Sequence, residues 1–160
     1  MKALNIKAIE FAQSVSEIGI YWKSKSKEKK LITGAKEAYD IFKPFYDNLH
    51  IMEQKEVFSV AYLNNANKVI GVLKVSEGAA TSVVVDIPFI FRGAIMTNAV
   101  AIILCHNHPS GNLTPSSADK NITKQIVDAA KLMQMKVLDH LLITESDSIN
   151  YFSFAEEGII

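Results

Sequence analysis

Cysteine is almost absent from this chain: Cys105 stands alone among 160 residues. A single thiol excludes an internal disulfide framework and fits a reducing compartment. Charge imbalance is absent as well. Seventeen basic residues face seventeen acidic ones, for a formal net charge of zero, so no global field draws the chain to nucleic acid or to an anionic membrane. No segment approaches the roughly 20 apolar residues that span a bilayer. The opening stretch, MKALNIKAIEFAQSVSEIGIYW, has neither a long apolar region nor a small-residue cleavage site. These absences lead to the expectation of a cytoplasmic protein with no membrane partner. There is no internal repeat, and the lysine cluster KSKSKEKK at residues 23–30 is the only biased segment.

What remains is a composition of 49% hydrophobic and 21% charged residues, that of one globular domain with a substantial core. Ile18, Ile20 and Trp22 alternate with Gly19 and Tyr21, which predicts a strand. The lysine cluster then reads as a solvated linker. It lacks arginine and interleaved aromatics, so it is a weak nucleic-acid signal. Ala38, Ile41, Phe42 and Phe45 recur at helical spacing and predict an amphipathic helix over 35–47, with Pro44 bending or ending it. EVFSVAYLNNANKVIGVLKVSEG reads as a hairpin closed by Gly78, with Phe58, Val60 and Tyr62 on one face.

Residues 86–98 fit a helix capped by Asp86 with Pro88 in its first turn. AVAIILC is a continuous apolar run of strand length, as in a strand buried on both faces. Residues 116–134 predict a long helix with Ile122, Ile126, Ala129, Ala130 and Met133 on one stripe. KVLDHLLIT and INYFSF are closing strands. The order β, α, ββ, α, β, α, ββ predicts an α/β class: a mixed sheet with flanking helices.

The chemistry concentrates where the apolar run ends, in ILCHNHPSGNLTPSSADKN. Residues two apart in a strand share a face. His106 and His108 therefore present two imidazoles side by side, while Cys105 and Asn107 point the other way. Two neutral imidazole donors suit one metal ion. The Gly/Pro-bearing loop can return the chain so that Asp119, early in the following helix, supplies a third ligand. Three protein ligands leave a tetrahedral Zn2+ with one position open to water, the catalytic arrangement, in which water is acidified toward a pKa of about 7. Cys105 is expected to be a packed thiol.

Such a site needs a proton acceptor. Glu56 is the candidate, at the opening of the first hairpin strand, although the residues alone do not separate it from Glu53 or Glu77. Ser116 could donate to a developing oxyanion. Ser116-x-x-Asp119 is equally an N-terminal capping pattern, and both roles can coexist. His50 reads as a structural histidine. A zinc deaminase would require a C-x-x-C pair, which one cysteine cannot supply.

His106-x-His108, seven residues, Ser116, two residues and Asp119, with an upstream glutamate, resembles the JAMM (MPN+) metalloprotease motif. The fuller HNHPSGNLTPSSAD, with EVFSVAYLNNANKVIG, SEGAATSVVVD, NAVAIILCHNHPSG and VLDHLLI, is similar to the RadC-like JAB-domain branch over roughly residues 32–158. The resemblance implies a cytidine-deaminase-like JAB/MPN fold for residues 31–160, behind an N-terminal strand and lysine-rich linker at 1–30. It implies Zn2+ held by His106, His108 and Asp119. Glu56 would be the general base and Ser116 the oxyanion donor. The implied activity is that of a zinc metallopeptidase or isopeptidase acting on a peptide or protein.

Asp139-His140 also matches a family pattern, with one side chain expected in the core and the other at a site edge. Longer relatives carry an N-terminal helix-hairpin-helix region that residues 1–30 do not match. A DNA-repair or mobile-element accessory role thus has only the lysine cluster behind it. Relatives often have arginine where this chain has Pro88. A binding module with a structural metal and no turnover is a further alternative. No sequence feature specifies an oligomeric state.

Overall fold

A computed structural model describes residues 28–50, 52–78, 84–145 and 150–160. The strand expected over 18–22 and most of the lysine cluster lie outside the described residues. Eight elements follow in order: α1 (Ala35–Asp47), β1 (Val57–Leu63), β2 (Val69–Glu77), α2 (Ile87–Thr97), β3 (Ala101–Asn107), α3 (Ser117–Leu132), β4 (Lys136–Ile143) and β5 (Tyr151–Ser153). The five strands form one sheet in the order β2-β1-β3-β4-β5. Only β3 and β4 pair in parallel; the other pairs are antiparallel. A parallel pair needs a crossover, and α3 provides it.

Strand alternation divides the core into two layers. Val57, Ala61, Leu63, Ala101, Ile103, Cys105, Leu141 and Ile143 pack against α1. Phe58, Val60, Tyr62, Ile102 and Leu104 pack on the other face, against Ile90, Phe91 and Ala94 of α2 and Ile126 and Ala130 of α3. All seven residues of β3 are buried, which is why its first five, Ala101 to Cys105, are apolar without a break.

The α1 stripe is rotated slightly from the expected one. Ala35, Ala38, Tyr39, Phe42 and Tyr46 are the buried positions, and Ile41 and Phe45 are half-buried. Pro44 neither ends the helix nor stops its final turn, since the Asn48 amide still donates to the Pro44 carbonyl at 3.2 Å. Asp86 caps α2 as expected, its carboxylate accepting from the Phe89 amide at 2.9 Å. In α3, Ile126 and Ala130 are buried, whereas Met133 falls past the helix end and is exposed. The INYFSF strand is shorter than expected, with only Tyr151–Ser153 paired.

In β4 the register slips between its pairs with Ile102 and Ile103, so that Val137 and Asp139 are partnered and Leu138 is the extra residue. The bulge puts Leu138 and Asp139 on the α1 side. It turns His140 onto the same face as Leu104 and His106.

Candidate metal centre

The site forms where β3 ends and α3 begins. His106 is the last inward-facing position of β3 on the α2/α3 side and is 1% exposed. His108 follows just past the strand, its amide continuing the parallel ladder to the Ile143 carbonyl at 3.1 Å. The chain then turns through Gly111, whose φ of +76° suits glycine and whose amide donates to the His108 carbonyl at 3.1 Å. Ser116 starts α3 as its cap. Its hydroxyl accepts from the Asp119 amide at 3.1 Å, and the Ser116 amide donates back to Asp119 Oδ2 at 2.6 Å, which completes a capping box.

Glu56, His106, His108 and Asp119 each offer one ligand atom, and these atoms lie within 4.8 Å of one another. His106 Nε2 is 3.2 Å from His108 Nε2 and 3.3 Å from Asp119 Oδ1, and His108 Nε2 is 3.6 Å from Asp119 Oδ2. Two ligand atoms at about 2.0–2.1 Å from a tetrahedral zinc stand about 3.3 Å apart, so the spacing already matches a divalent cation. The chemistry matches as well. His108 Nδ1 lies 2.7 Å from the Asn112 carbonyl, an acceptor that only an Nδ1–H can satisfy. His108 therefore turns an unprotonated Nε2 to the cluster when neutral. Imidazole nitrogens with carboxylate oxygens are a donor set for zinc and similar first-row ions.

The charges around the cluster are coupled. Burial raises the Asp119 carboxyl, but hydrogen bonds and charge from His106, His108 and Ser116 outweigh it and hold the group well below the carboxylate range. The Asp119 hydrogen bond raises His108, against burial, which lowers it. A ligating imidazole must be unprotonated at the bound nitrogen, so metal binding here is coupled to proton release. Burial pushes Glu56 up, offset in part by His106 and His108 and reinforced by Asp119. A carboxylate raised in this way is a better proton acceptor.

Other groups considered from the sequence sit elsewhere. Glu77 is held by Lys55 at 2.7 Å and Lys74 at 2.9 Å, and their hydrogen bonds lower it to about 2. Glu53 is exposed and borders a cavity of about 540 Å³ with Lys43, His50 and Glu145. Cys105 is fully buried in the α1 layer, and burial pushes its thiol well up. His50 is exposed with φ of +54° and belongs to the turn that follows α1.

Three site neighbours carry roles that the sequence reading did not assign. Asn107, between the two histidines, donates to the carbonyls of Met52 at 2.7 Å and Lys55 at 2.9 Å and accepts from the Val57 amide at 2.8 Å. It thereby fastens the segment that carries Glu56. His140 Nε2 lies 2.8 Å from His106 Nδ1, and Thr123 Oγ1 lies 2.6 Å from His140 Nδ1. Alternation told that Asn107 faces away from the histidines, but nothing local told what it meets. Asp139 lies on the opposite face. It accepts from the His140 and Ala155 amides at 2.7 and 3.0 Å and from Ser153 Oγ at 2.7 Å.

Among the described residues, no helix is long and apolar enough to cross a membrane. The chain is 45% identical over 130 residues to a UPF0758 protein of Flavobacterium johnsoniae, covering 81% of this chain and 54% of that protein. It is 41% identical over 133 residues to a UPF0758 protein of Salinibacter ruber, covering 83% and 54%. It is 43% identical over 116 residues to UPF0758 protein plu4865 of Photorhabdus laumondii subsp. laumondii, covering 72% and 49%. The chain spans about half the length of the curated relatives it matches. The sequence profile of the RadC-like JAB domain matches residues 32–159, and the mixed five-stranded sheet with flanking helices agrees with a JAB/MPN-type domain. The chain belongs to the RadC-like JAB domain family.

Proposed function

We propose that this domain is a zinc-dependent amide hydrolase, a peptidase or isopeptidase acting on a peptide or protein. One observation carries the reading. Glu56, His106, His108 and Asp119 converge within 4.8 Å, with His108 held so that its free nitrogen faces inward. His106, His108 and Asp119 would hold the ion, and Glu56 would stand beside it as the base. A zinc ion bound there supplies Lewis acidity, polarising a carbonyl and making a water acidic near neutral pH.

The remaining work falls to side chains. Glu56, 7% exposed, accepts the proton of the attacking water and returns it to the departing amine. Asp119 is oriented by the Ser116 amide and hydroxyl, both 2.6 Å from Oδ2, which leaves Oδ1 as its freer oxygen. An oxyanion role for the Ser116 hydroxyl requires its proton to swing from Asp119 Oδ2 to the substrate. The nucleic-acid reading keeps only the lysine cluster, against a formal charge of zero; loss of binding with rising salt would be its signature.

The test is metal content together with hydrolysis of a peptide library. Glu56→Gln should keep one equivalent of zinc and lose about 100-fold or more in turnover, the scale of a missing general base. His106→Ala should lose both. Stoichiometric zinc in His106→Ala would overturn the ligand assignment, and full turnover in Glu56→Gln would overturn the base.

A further inference from the structure

We propose that Thr123 and His140 are positioning residues that lock His106 in the tautomer protonated on Nδ1, so that its Nε2 faces the cluster as a bare donor. The proposal rests on the metal-centre reading and deepens it.

The hydrogen bonds have only one consistent direction. Thr123 Oγ1 lies 2.5 Å from the Asp119 carbonyl and 2.6 Å from His140 Nδ1. A hydroxyl has one proton, and a carbonyl can only accept. The Thr123 proton therefore goes to Asp119 O, and His140 Nδ1 must carry the proton of the second contact. His140 is fully buried, stacked on Phe154 at 4.6 Å and edge-on to Phe58 at 5.5 Å. A second ring proton there would be a buried charge in aromatic surroundings.

His140 is thus neutral, with Nε2 as an acceptor. Its neighbour at 2.8 Å, His106 Nδ1, must donate. Neutral His106 then has no proton on Nε2, the atom 3.2 Å from His108 Nε2 and 3.3 Å from Asp119 Oδ1. The chain of bonds starts at the Asp119 backbone and ends at His106 Nδ1, while His106 Nε2 faces the Asp119 carboxylate. The same α3 turn that delivers one ligand thereby sets the protonation of another.

His140 can do this because its own backbone is fixed. Its amide donates to Asp139 Oδ1 at 2.7 Å, and its carbonyl accepts from the Phe154 amide at 3.1 Å. A partner for the remote nitrogen is the usual means of fixing a ligating histidine; here it is a second imidazole in place of a carboxylate or carbonyl.

The experiment is 15N-edited NMR of the histidine rings in metal-free protein, with zinc affinity measured separately by chelator competition. Wild type should show His106 protonated on Nδ1. Thr123→Val keeps the side-chain shape but removes the acceptor for His140 Nδ1. His140 should then move its proton to Nε2 and force His106 into the opposite tautomer, with zinc affinity falling by about 10- to 100-fold. Thr123→Ser should restore both readings. A His106 protonated on Nε2 in wild type, or an unchanged His106 tautomer in folded Thr123→Val, would overturn the proposal. If Thr123→Val does not fold, the wild-type spectrum alone decides. If the wild-type tautomer is as expected but zinc does not bind, the relay stands and the metal-centre reading fails.

Discussion

Asn107 and Val57 are joined across the sheet by a hydrogen bond from the Val57 amide to Asn107 Oδ1, 2.8 Å long and fully buried. With its amide nitrogen on the Met52 and Lys55 carbonyls, this one side chain holds the backbone on both sides of Glu56. Asn107→Ala leaves those buried groups unpaired, at about 1–3 kcal/mol for the first of them. Turnover should fall by about 100-fold, as expected when a reacting group is misplaced by about 1 Å. Zinc stoichiometry should persist, because none of the three proposed ligands is touched. Denaturant unfolding, metal analysis and peptide hydrolysis read the three quantities, and unchanged stability would refute the anchoring role.

Ser116 separates two chemistries. Its hydroxyl caps α3 and donates to Asp119 Oδ2 at 2.6 Å. Ser116→Ala should cost about 1 kcal/mol of stability through the lost cap. Zinc affinity should fall by about 10- to 100-fold through the freed carboxylate. Ser116→Thr should retain both. If Ser116→Ala keeps its stability and affinity while turnover collapses, the hydroxyl acts on the substrate and not on Asp119.

Gly93 brings α2 close against the sheet at Tyr62. A Cβ there would lie 2.2 Å from the Tyr62 hydroxyl oxygen and 2.7 Å from Cζ. Tyr62 is 3% exposed and donates to the Ile90 carbonyl at 2.9 Å, so its ring has little room to retreat. Gly93→Ala should destabilise by about 1–3 kcal/mol, the range of an overpacked core. In a Tyr62→Phe background the penalty should shrink by about 0.5 kcal/mol or more, since the nearest clashing atom is gone. Strict additivity in a thermal-unfolding double-mutant cycle would show that the two do not meet.

The candidate site was legible wherever it depended on local geometry. A strand repeats every two residues, so AIILCHNH by itself put His106 and Cys105 on opposite faces; the fold makes these the α2/α3 layer and the α1 layer. A helix start needs a cap, so Ser116-x-x-Asp119 marked the first turn of α3. Glu56 was less determined. Glu53, Glu56 and Glu77 all flank the hairpin strands, and the resemblance to JAMM-motif proteins chose between them. What separates them physically is pairing. Phe58 lies opposite His106, and that register, carried two residues further, brings Glu56 to His108, while Glu77 is taken by Lys55 and Lys74.

His140 shows the limit most plainly. Simple alternation along KVLDHLLI would place Val137 and His140 on opposite faces. The extra residue at Leu138 puts them on the same face and turns the imidazole to His106. Sequence alone determined which residues could bind, base or cap, because periodicity and capping are properties of a few consecutive residues. Tertiary structure gave the physical reason why Glu56, and not Glu53 or Glu77, joins the histidines, and it alone decided which way their protons point. Those depend on a strand register, a bulge and buried hydrogen bonds between segments up to 55 residues apart, and no local pattern encodes them.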